Sequence, residues 1–126
     1  MKTIITTKNA PAPIGPYNQA VLYGGFLYTS GQIAIHPQTN ILILDDIKTE
    51  TKQVMENLKA VLEAANMTFE NVIKSTIFIS NMDDFGLINE VYGSYFDDTN
   101  APARETVQVA KLPKNVNVEI SMIAAK

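Results

Sequence analysis

Alternating apolar and polar positions mark the last quarter of the chain, which contains two valine-rich runs. The runs, Arg104 to Ala110 and Val116 to Met122, flank a Leu-Pro-Lys-Asn break, and this pattern predicts two strands joined by a turn. Successive side chains of a strand point to opposite faces of the sheet. Each predicted strand therefore has an apolar and a polar side, and the polar side of the first carries Arg104, Thr106 and Gln108.

A hairpin turn centred between Lys111 and Leu112 places Arg104 directly opposite Glu119. One interpretation is a small-molecule site, in which Arg104 holds an anionic group and Glu119 acts on a polar atom beside it. The other is a structural cross-strand ion pair, which contributes about 0.2–1 kcal/mol to stability. The two strands alone favour the structural interpretation, because charge pairs of this kind often have no functional role.

The front of the chain combines short β-branched runs with turn residues. Thr3 to Thr7 is predicted as a first strand, and Asn9 to Tyr17, with three prolines and a glycine, as an ordered loop with stiff φ angles. Gln19 to Tyr23 and Phe26 to Ser30 flank Gly24-Gly25, which predicts a β-hairpin. The small residues that follow, Ser30 and Gly31, either let a ligand approach the backbone or form a simple bulge.

Two helices are predicted in the middle of the chain. Ile41 to Leu44 is expected to form a short strand or an edge segment, and Asp45-Asp46 to cap the helix that follows and ends near Asn66. Its apolar stripe recurs at helical spacing and is expected in the core. A second helix is expected after Asp83-Asp84, with Asn89 beside its buried stripe, which is formed by Phe85, Ile88, Val91, Tyr92, Tyr95 and Phe96. An asparagine there is usually solvated, and the functional alternative is a contact with a ligand at the helix edge.

The segment Asn71 to Ser80 carries apolar residues of both parities, which is typical of a central strand covered on both faces. The predicted order is several strands, helix, strand, helix, two strands. This order indicates a single α+β domain, with a mixed sheet of about six strands and two helices on one face. The other face would expose apolar residues such as Val107, so we expect a homo-oligomer.

Composition and net charge reduce the number of possible partners and site types. The 126 residues carry a formal net charge of −3 and no basic run, which disfavours nucleic acid and anionic membranes as partners. Cysteine is absent and His36 is the one histidine, so thiolate metal sites and histidine metal clusters are excluded within one chain. No window reaches the roughly 18 apolar residues of a membrane span. The sequence therefore predicts a soluble, cytoplasmic protein.

Five short motifs occur along the chain, and their order and spacing are informative together. They are I-G-P-Y at Ile14 to Tyr17, T-S-G-Q at Thr29 to Gln32, F-x-x-I-N-x-x-Y at Phe85 to Tyr92, P-A-R at Pro102 to Arg104, and V-E-I at Val118 to Ile120. Each is weak alone, and together they span almost the whole chain. With them the sequence resembles the reactive-intermediate deaminase (Rid, YjgF-like) family.

The resemblance implies a chorismate-mutase-like fold and a homotrimer with active sites in the clefts between subunits. It also implies hydrolysis of 2-imino acids, or of their enamine tautomers, to 2-keto acids and ammonia. Such intermediates escape from pyridoxal-phosphate enzymes such as threonine or serine dehydratase. The members that this chain resembles need no cofactor and no metal.

The resemblance also implies roles for particular residues. Arg104 would bind the substrate carboxylate through two parallel hydrogen bonds, and Glu119 would position or activate the attacking water. Backbone groups near Thr106 and Gly31 would hold the carboxylate or the imine nitrogen. The remaining expected residues of the cleft are Ser30, beside these groups, and Tyr17 and Asn89, one of them contributed by a neighbouring chain.

Two positions depart from the family pattern. Glu105 stands where many relatives carry a small residue, and Thr106 where some carry cysteine. Threonine should be tolerated, because the contact expected there is mainly with the backbone. Glu105 bears on substrate range and subunit packing, because its charge must reach solvent or a partner.

Two other functions compete with deamination. The first is a regulatory trimer whose cleft binds a 2-keto acid without turnover, which would need Arg104 but not Glu119. The second is an endoribonuclease or translation inhibitor, an activity attached to some relatives. The absence of a basic stripe and of a histidine pair disfavours the second.

Overall fold

The computed structural model describes residues 1–126 and contains one six-stranded sheet and two α-helices. The strands are β1 (Thr3–Ile5), β2 (Ala20–Tyr23), β3 (Phe26–Thr29), β4 (Val72–Ile79), β5 (Ala103–Gln108) and β6 (Val118–Ala125), and the helices are α1 (Ile47–Ala64) and α2 (Phe85–Gly93). The predicted α+β class, with a mixed sheet of about six strands and two helices, is confirmed.

The sheet order is β1-β2-β3-β6-β4-β5, in which β4 and β5 run parallel and all other neighbours run antiparallel. The predicted hairpin between β5 and β6 is therefore wrong, because β4 lies between them. The alternation within each strand was read correctly, but alternation does not identify the neighbouring strand. Leu112 and Val116 are buried, so the connection packs into the core instead of forming a tight turn.

The two faces of the sheet differ in what covers them. On one, which we call the helix face, residues such as Ile77, Ile79 and Ile120 are fully buried in the core with Leu58 and Leu62 of α1. The opposite face, which we call the open face, is uncovered in a single chain. Its apolar side chains include Tyr28 and Val107, which are 47% and 42% exposed. The expected uncovered face with an exposed Val107 is thus present.

The hairpin around Gly24-Gly25 is confirmed, with Tyr23 paired to Phe26. Both glycines have positive φ, 59° and 84°, as a two-residue hairpin turn requires. The expected strand at Ile41 to Leu44 is wrong, because only Leu42 forms a bridge, to Ile35.

Helix α1 begins as predicted, because the Asp46 side chain accepts a hydrogen bond from the Thr49 amide at 2.8 Å. On its inner side lies a fully buried carboxylate, Glu50, that the apolar stripe did not reveal. Glu50 accepts hydrogen bonds from the Asn117 amide and side chain, both at 2.8 Å, and from the Val118 amide at 3.2 Å. These bonds fix the start of β6 against α1.

Helix α2 begins differently from the prediction. Asp83 and Asp84 lie in a 3₁₀ turn that is capped by Asn81, whose side chain accepts from the Asp83 amide. Asp84 makes no side-chain capping bond to α2. The helix buries Ile88 and Tyr92 against the sheet, as expected. The other residues of the predicted stripe are only half-buried, and Tyr95 and Phe96 lie beyond the end of the helix at Gly93. Neither α1 nor α2 has the length and apolar character needed to cross a membrane.

Candidate active site

Arg104 lies on the helix face of β5 and is held by side chains of α2. Its Nη1 donates to Asn89 Oδ1 at 2.6 Å. Its Cζ lies 5.1 Å from the centre of the Tyr92 ring and 5.5 Å from that of Phe85, within the range of cation–π attraction. Phe85, Asn89 and Tyr92 are spaced four and three residues apart, which places them on one side of the helix.

No carboxylate pairs with Arg104. The two ion pairs of the chain, Lys48 with Glu90 and Lys74 with Glu105, lie elsewhere. Apart from the bond to Asn89, the guanidinium donors have no acceptor in the chain. Neutral groups therefore orient the guanidinium without neutralising it, and its charge is available to an anion.

Thr106 follows Arg104 on the same face of β5. Its Oγ1 is buried and has no hydrogen-bond partner. Because β5 is an edge strand, one row of its backbone groups also has no partner in the sheet. The helix-face group of predicted site residues thus consists of Arg104, Asn89 and Thr106.

The other predicted site residues line a separate cleft of about 560 Å³, which we call the Glu119 cleft. The loop before β2, the segment after β3 and the connection before β6 form its walls. Glu119 and Lys114 are its charged residues. The predicted residues that the structure brings together here are Tyr17, Ser30, Gly31 and Glu119.

Glu119 lies against the backbone of Gly31. A Cβ atom at Gly31 would approach Glu119 Cδ to 2.7 Å and Cγ to 3.0 Å, closer than real side chains come. The Glu119 side chain in its present position leaves room only for a glycine here, and the bulge interpretation alone does not describe this contact. Burial raises the pKa of the Glu119 carboxyl, and no cation lies within ion-pair distance to oppose that shift.

Some polar groups of the Glu119 cleft already have hydrogen-bond partners in the chain, and others do not. The Ser30 hydroxyl donates to the Asn18 carbonyl at 2.5 Å, so this donor is already engaged. The amide and carbonyl of Gly31 have no partner in the chain. The backbone of Gly31 is therefore better placed than Ser30 to bind a polar ligand.

The loop that carries Tyr17 is held by the buried side chain of Gln19. Gln19 accepts from the Thr7 amide at 2.7 Å and donates to the carbonyls of Thr7, Ala10 and Pro11 at 2.8–3.2 Å. The loop is therefore ordered, as its prolines predicted. Tyr17 itself is half exposed at the cleft.

The predicted pairing of Arg104 with Glu119 is wrong. Arg104 pairs with Ser75 on β4, whereas Glu119 pairs with Phe78, so the two charges are offset by three residues across two strand spacings. This offset corresponds to about 14 Å between their backbones. The residues also point to opposite faces, which excludes both a cross-strand ion pair and a shared site within one chain.

Glu105 lies on the open face and has partners there. It accepts from the Thr76 hydroxyl at 3.2 Å and forms an ion pair with Lys74 at 3.2 Å. Its charge is thus satisfied at the exposed sheet surface, as the alternation of β5 required.

Sequence reasoning missed two kinds of residue. Phe85 and Tyr92 were assigned to the core, although their spacing with Asn89 indicated that all three share a helix side. Gln19 and Lys114 gave no local signal, since their positions depend on contacts between distant parts of the chain. Lys114 lies in the left-handed region with a φ of 55°, which no preceding motif announces.

Known proteins resemble this chain over nearly its whole length. The Endoribonuclease L-PSP family model matches residues 7–126. A RutC family protein of Synechocystis sp. is 52% identical over 122 residues, covering 96% of this chain and 94% of the relative. The 2-iminobutanoate/2-iminopropanoate deaminase of Salmonella typhimurium is 42% identical over 128 residues, covering 100% of this chain and 99% of the relative. The crystal structure of E. coli TdcF with bound serine matches with a TM-score of 0.92 and 44% identity, covering 98% of each chain.

The chain belongs to the Rid (YjgF-like) family, whose family model carries the description Endoribonuclease L-PSP. This membership confirms the resemblance that the five motifs indicated. The six-stranded mixed sheet with two helices is the chorismate-mutase-like fold of that family.

Proposed function

We propose that this protein is a deaminase that hydrolyses 2-imino acids to 2-keto acids and ammonia. The observation that carries the proposal is an unneutralised, oriented Arg104 combined with a desolvated Glu119 beside the free backbone of Gly31. A planar guanidinium suits a carboxylate, and a carboxylate with a raised pKa is a stronger general base than an ordinary glutamate. The 42% identity to a relative named 2-iminobutanoate/2-iminopropanoate deaminase supports the same substrate class.

The active site requires two copies of the chain. Arg104 and Glu119 lie on opposite faces of the sheet, so one small molecule can contact both only where two copies meet. We assign Arg104, Asn89 and Thr106 to one copy, and Tyr17, Ser30, Gly31 and Glu119 to its neighbour. The exposed apolar side chains of the open face, such as Tyr28 and Val107, favour such association.

We propose a homotrimer, in which each interface would combine one residue group from each copy. Closed rotational symmetry then gives three equivalent sites. Light scattering in dilute solution is expected to give the mass of three chains. A mass equal to that of one chain would contradict both the trimer and the shared site.

The chemistry follows from these positions. Arg104 binds the substrate carboxylate and the Gly31 amide or carbonyl contacts the reacting group. Glu119 takes a proton from water as the water oxygen bonds to the carbon of the protonated imine, giving a neutral carbinolamine. Glu119 then returns this proton to nitrogen, and the C–N bond breaks as the hydroxyl proton passes back to Glu119, so that the carbonyl forms and ammonia leaves. An iminium carbon is already electrophilic, so positioning of the water supplies much of the rate increase, without a covalent nucleophile.

A coupled assay tests the proposal. A dehydratase generates 2-aminoacrylate or 2-iminobutanoate, and keto-acid formation is followed with and without this protein. We expect the wild type to release keto acid faster than the reaction without this protein, and Arg104→Ala to give no acceleration. If the folded wild type gives no acceleration but binds pyruvate, and Glu119→Ala binds it equally well, the cleft has a binding role without turnover.

The family description does not make RNA cleavage a better proposal. The one histidine, His36, lies outside the Glu119 cleft, and its Nδ1 accepts from the Gln38 amide at 3.2 Å. The net charge of −3 also gives no electrostatic attraction to phosphates.

A further inference from the structure

A buried polar pair lies directly behind Arg104. The Tyr92 hydroxyl donates to Ser75 Oγ at 2.8 Å, and the two residues are 5% and 0% exposed. Ser75 lies on β4 at the position paired with Arg104, so the pair connects α2 to the strand next to the guanidinium. Neither residue has a role in the proposed reaction.

The pair fixes the ring that Arg104 contacts. An aromatic ring packed by apolar neighbours alone can tilt and slide along its contacts, whereas a hydrogen bond at its far end sets its direction. The Tyr92 ring lies 5.1 Å from the guanidinium carbon and is also packed 4.8 Å from the Phe96 ring. The orientation of the guanidinium therefore depends on the Ser75 hydroxyl through the ring of Tyr92.

The other side chains that contact Arg104 restrain the orientation of its guanidinium less than Tyr92 does. Asn89 is exposed, and its one hydrogen bond restrains only the Nη1 atom of Arg104. Phe85 is half-buried and has no polar atom that could anchor its ring. Among the three α2 side chains that contact Arg104, Tyr92 is the one tied to the sheet.

We propose that Tyr92, anchored by Ser75, is the positioning residue that sets the carboxylate-binding orientation of Arg104. This inference rests on the proposed function for its consequence in catalysis. Orientation matters because a guanidinium binds a carboxylate through two parallel hydrogen bonds only when the two planes align. The substrate carboxylate is held alike in the ground and transition states, so loss of alignment raises KM and leaves kcat nearly unchanged.

The test compares Tyr92→Phe with Tyr95→Phe. Both changes remove one tyrosine hydroxyl and one hydrogen bond, since the Tyr95 hydroxyl donates to Glu56 at 2.6 Å, but Tyr95 does not contact Arg104. For Tyr92→Phe we expect KM to rise about threefold to tenfold, the equivalent of one net hydrogen bond, with kcat within about twofold of wild type. Tyr95→Phe should leave both parameters unchanged.

A second measurement does not need turnover. The Nε–Hε NMR signal of Arg104 in the ligand-free protein reports the ring beside it, so it should move and broaden in Tyr92→Phe and in Ser75→Ala, but not in Tyr95→Phe. If the wild type has no deaminase activity, the proposed function fails while this signal still tests the positioning. An unchanged Arg104 signal and KM in Tyr92→Phe, or equal changes in Tyr95→Phe, would overturn the inference.

Discussion

Arg104 and Glu119 lie on opposite faces of one sheet, with β4 between the strands that carry them. In the proposed reaction, neither residue completes the site alone. Arg104 is oriented by neutral groups and keeps its charge, and Glu119 is desolvated beside a glycine with free backbone groups. The surface of a single chain therefore presents the two residue groups that we propose as halves of one site.

Replacement of Arg104 should separate function from stability. Arg104→Ala removes one hydrogen bond to an exposed side chain and the cation–π contacts with Tyr92 and Phe85, so the free energy of unfolding should fall by about 1–2 kcal/mol. Its kcat/KM should fall at least about 100-fold, because the carboxylate loses its charged partner. Arg104→Lys keeps the charge, so its kcat/KM should lie between those of the wild type and Arg104→Ala. Urea unfolding and the coupled assay measure both quantities, and a large loss of stability would indicate a structural role.

The raised pKa of Glu119 predicts a pH dependence of stability. Burial disfavours the ionised form, so the folded pKa lies above that of an unfolded glutamate. Below the pKa of the unfolded state, the Glu119 carboxyl is protonated in both the folded and the unfolded state. Its favourable contribution to the free energy of unfolding is then fully present. That contribution is lost as the pH rises through the folded pKa. Glu119→Gln should therefore gain stability relative to wild type as the pH rises above 4.5, the ordinary pKa of a glutamate.

Urea unfolding at several pH values measures this difference. The exposed Glu63, changed to Gln, provides the control and should show no such trend. In the active enzyme, the acid limb of kcat/KM should lie above the usual range of a glutamate, since the ionised form accepts the proton. A limb at the ordinary value of 4.5 or below would contradict the role of Glu119 as a desolvated base.

A methyl group at Gly31 should displace the Glu119 side chain. The added Cβ would lie 2.7 Å from Glu119 Cδ and 3.1 Å from Oε1, so the flexible carboxylate must move. We expect kcat to fall about 10- to 100-fold in Gly31→Ala, with a small change in melting temperature. Gly86→Ala is the matched control, since its Cβ meets nothing within 4 Å. Equal activity of the two variants would show that the Gly31 contact is unimportant.

Gln19 should be needed for the order of the cleft loop. Gln19→Ala leaves the Thr7 amide and the carbonyls of Ala10 and Pro11 without their partner, and should lower stability by about 1–3 kcal/mol. Gln19→Glu keeps an acceptor for the amide but places an oxygen beside the carbonyls, and should cost more at neutral pH. Chemical unfolding measures both, and a neutral Gln19→Ala would mean that the prolines alone hold the loop.

Elements with strong local signals were predicted from the sequence. The Gly24-Gly25 hairpin, the cap of α1 at Asp46 and the interior strand β4 depend on turn chemistry, capping and periodicity, which act over a few residues. The expected cover on both faces of β4 is not found in a single chain, where Thr76 and Phe78 on its open face are only half-buried. The partner of β5 could not be predicted in the same way. Its alternation is equally compatible with pairing to β6 or to β4, and the choice depends on packing of α2 across the sheet.

The candidate site shows the same division. The motifs identified the residues that are now found in two groups, but the assumed hairpin placed Arg104 and Glu119 together within one chain. The buried Gln19 and Glu50 were missed, because their importance lies in backbone groups that are distant in sequence. Such partners become visible only when the fold brings the segments together.

Mixed oligomers of two inactive variants test the central claim most directly. Arg104→Ala chains retain Glu119, and Glu119→Gln chains retain Arg104, so an interface between them can hold one complete site. After equal mixing, unfolding and refolding, we expect roughly a quarter of wild-type deaminase activity, since half of the chains can supply each group. Activity no higher than that of the separate variants, in oligomers shown to contain both chains, would contradict a site shared between two copies.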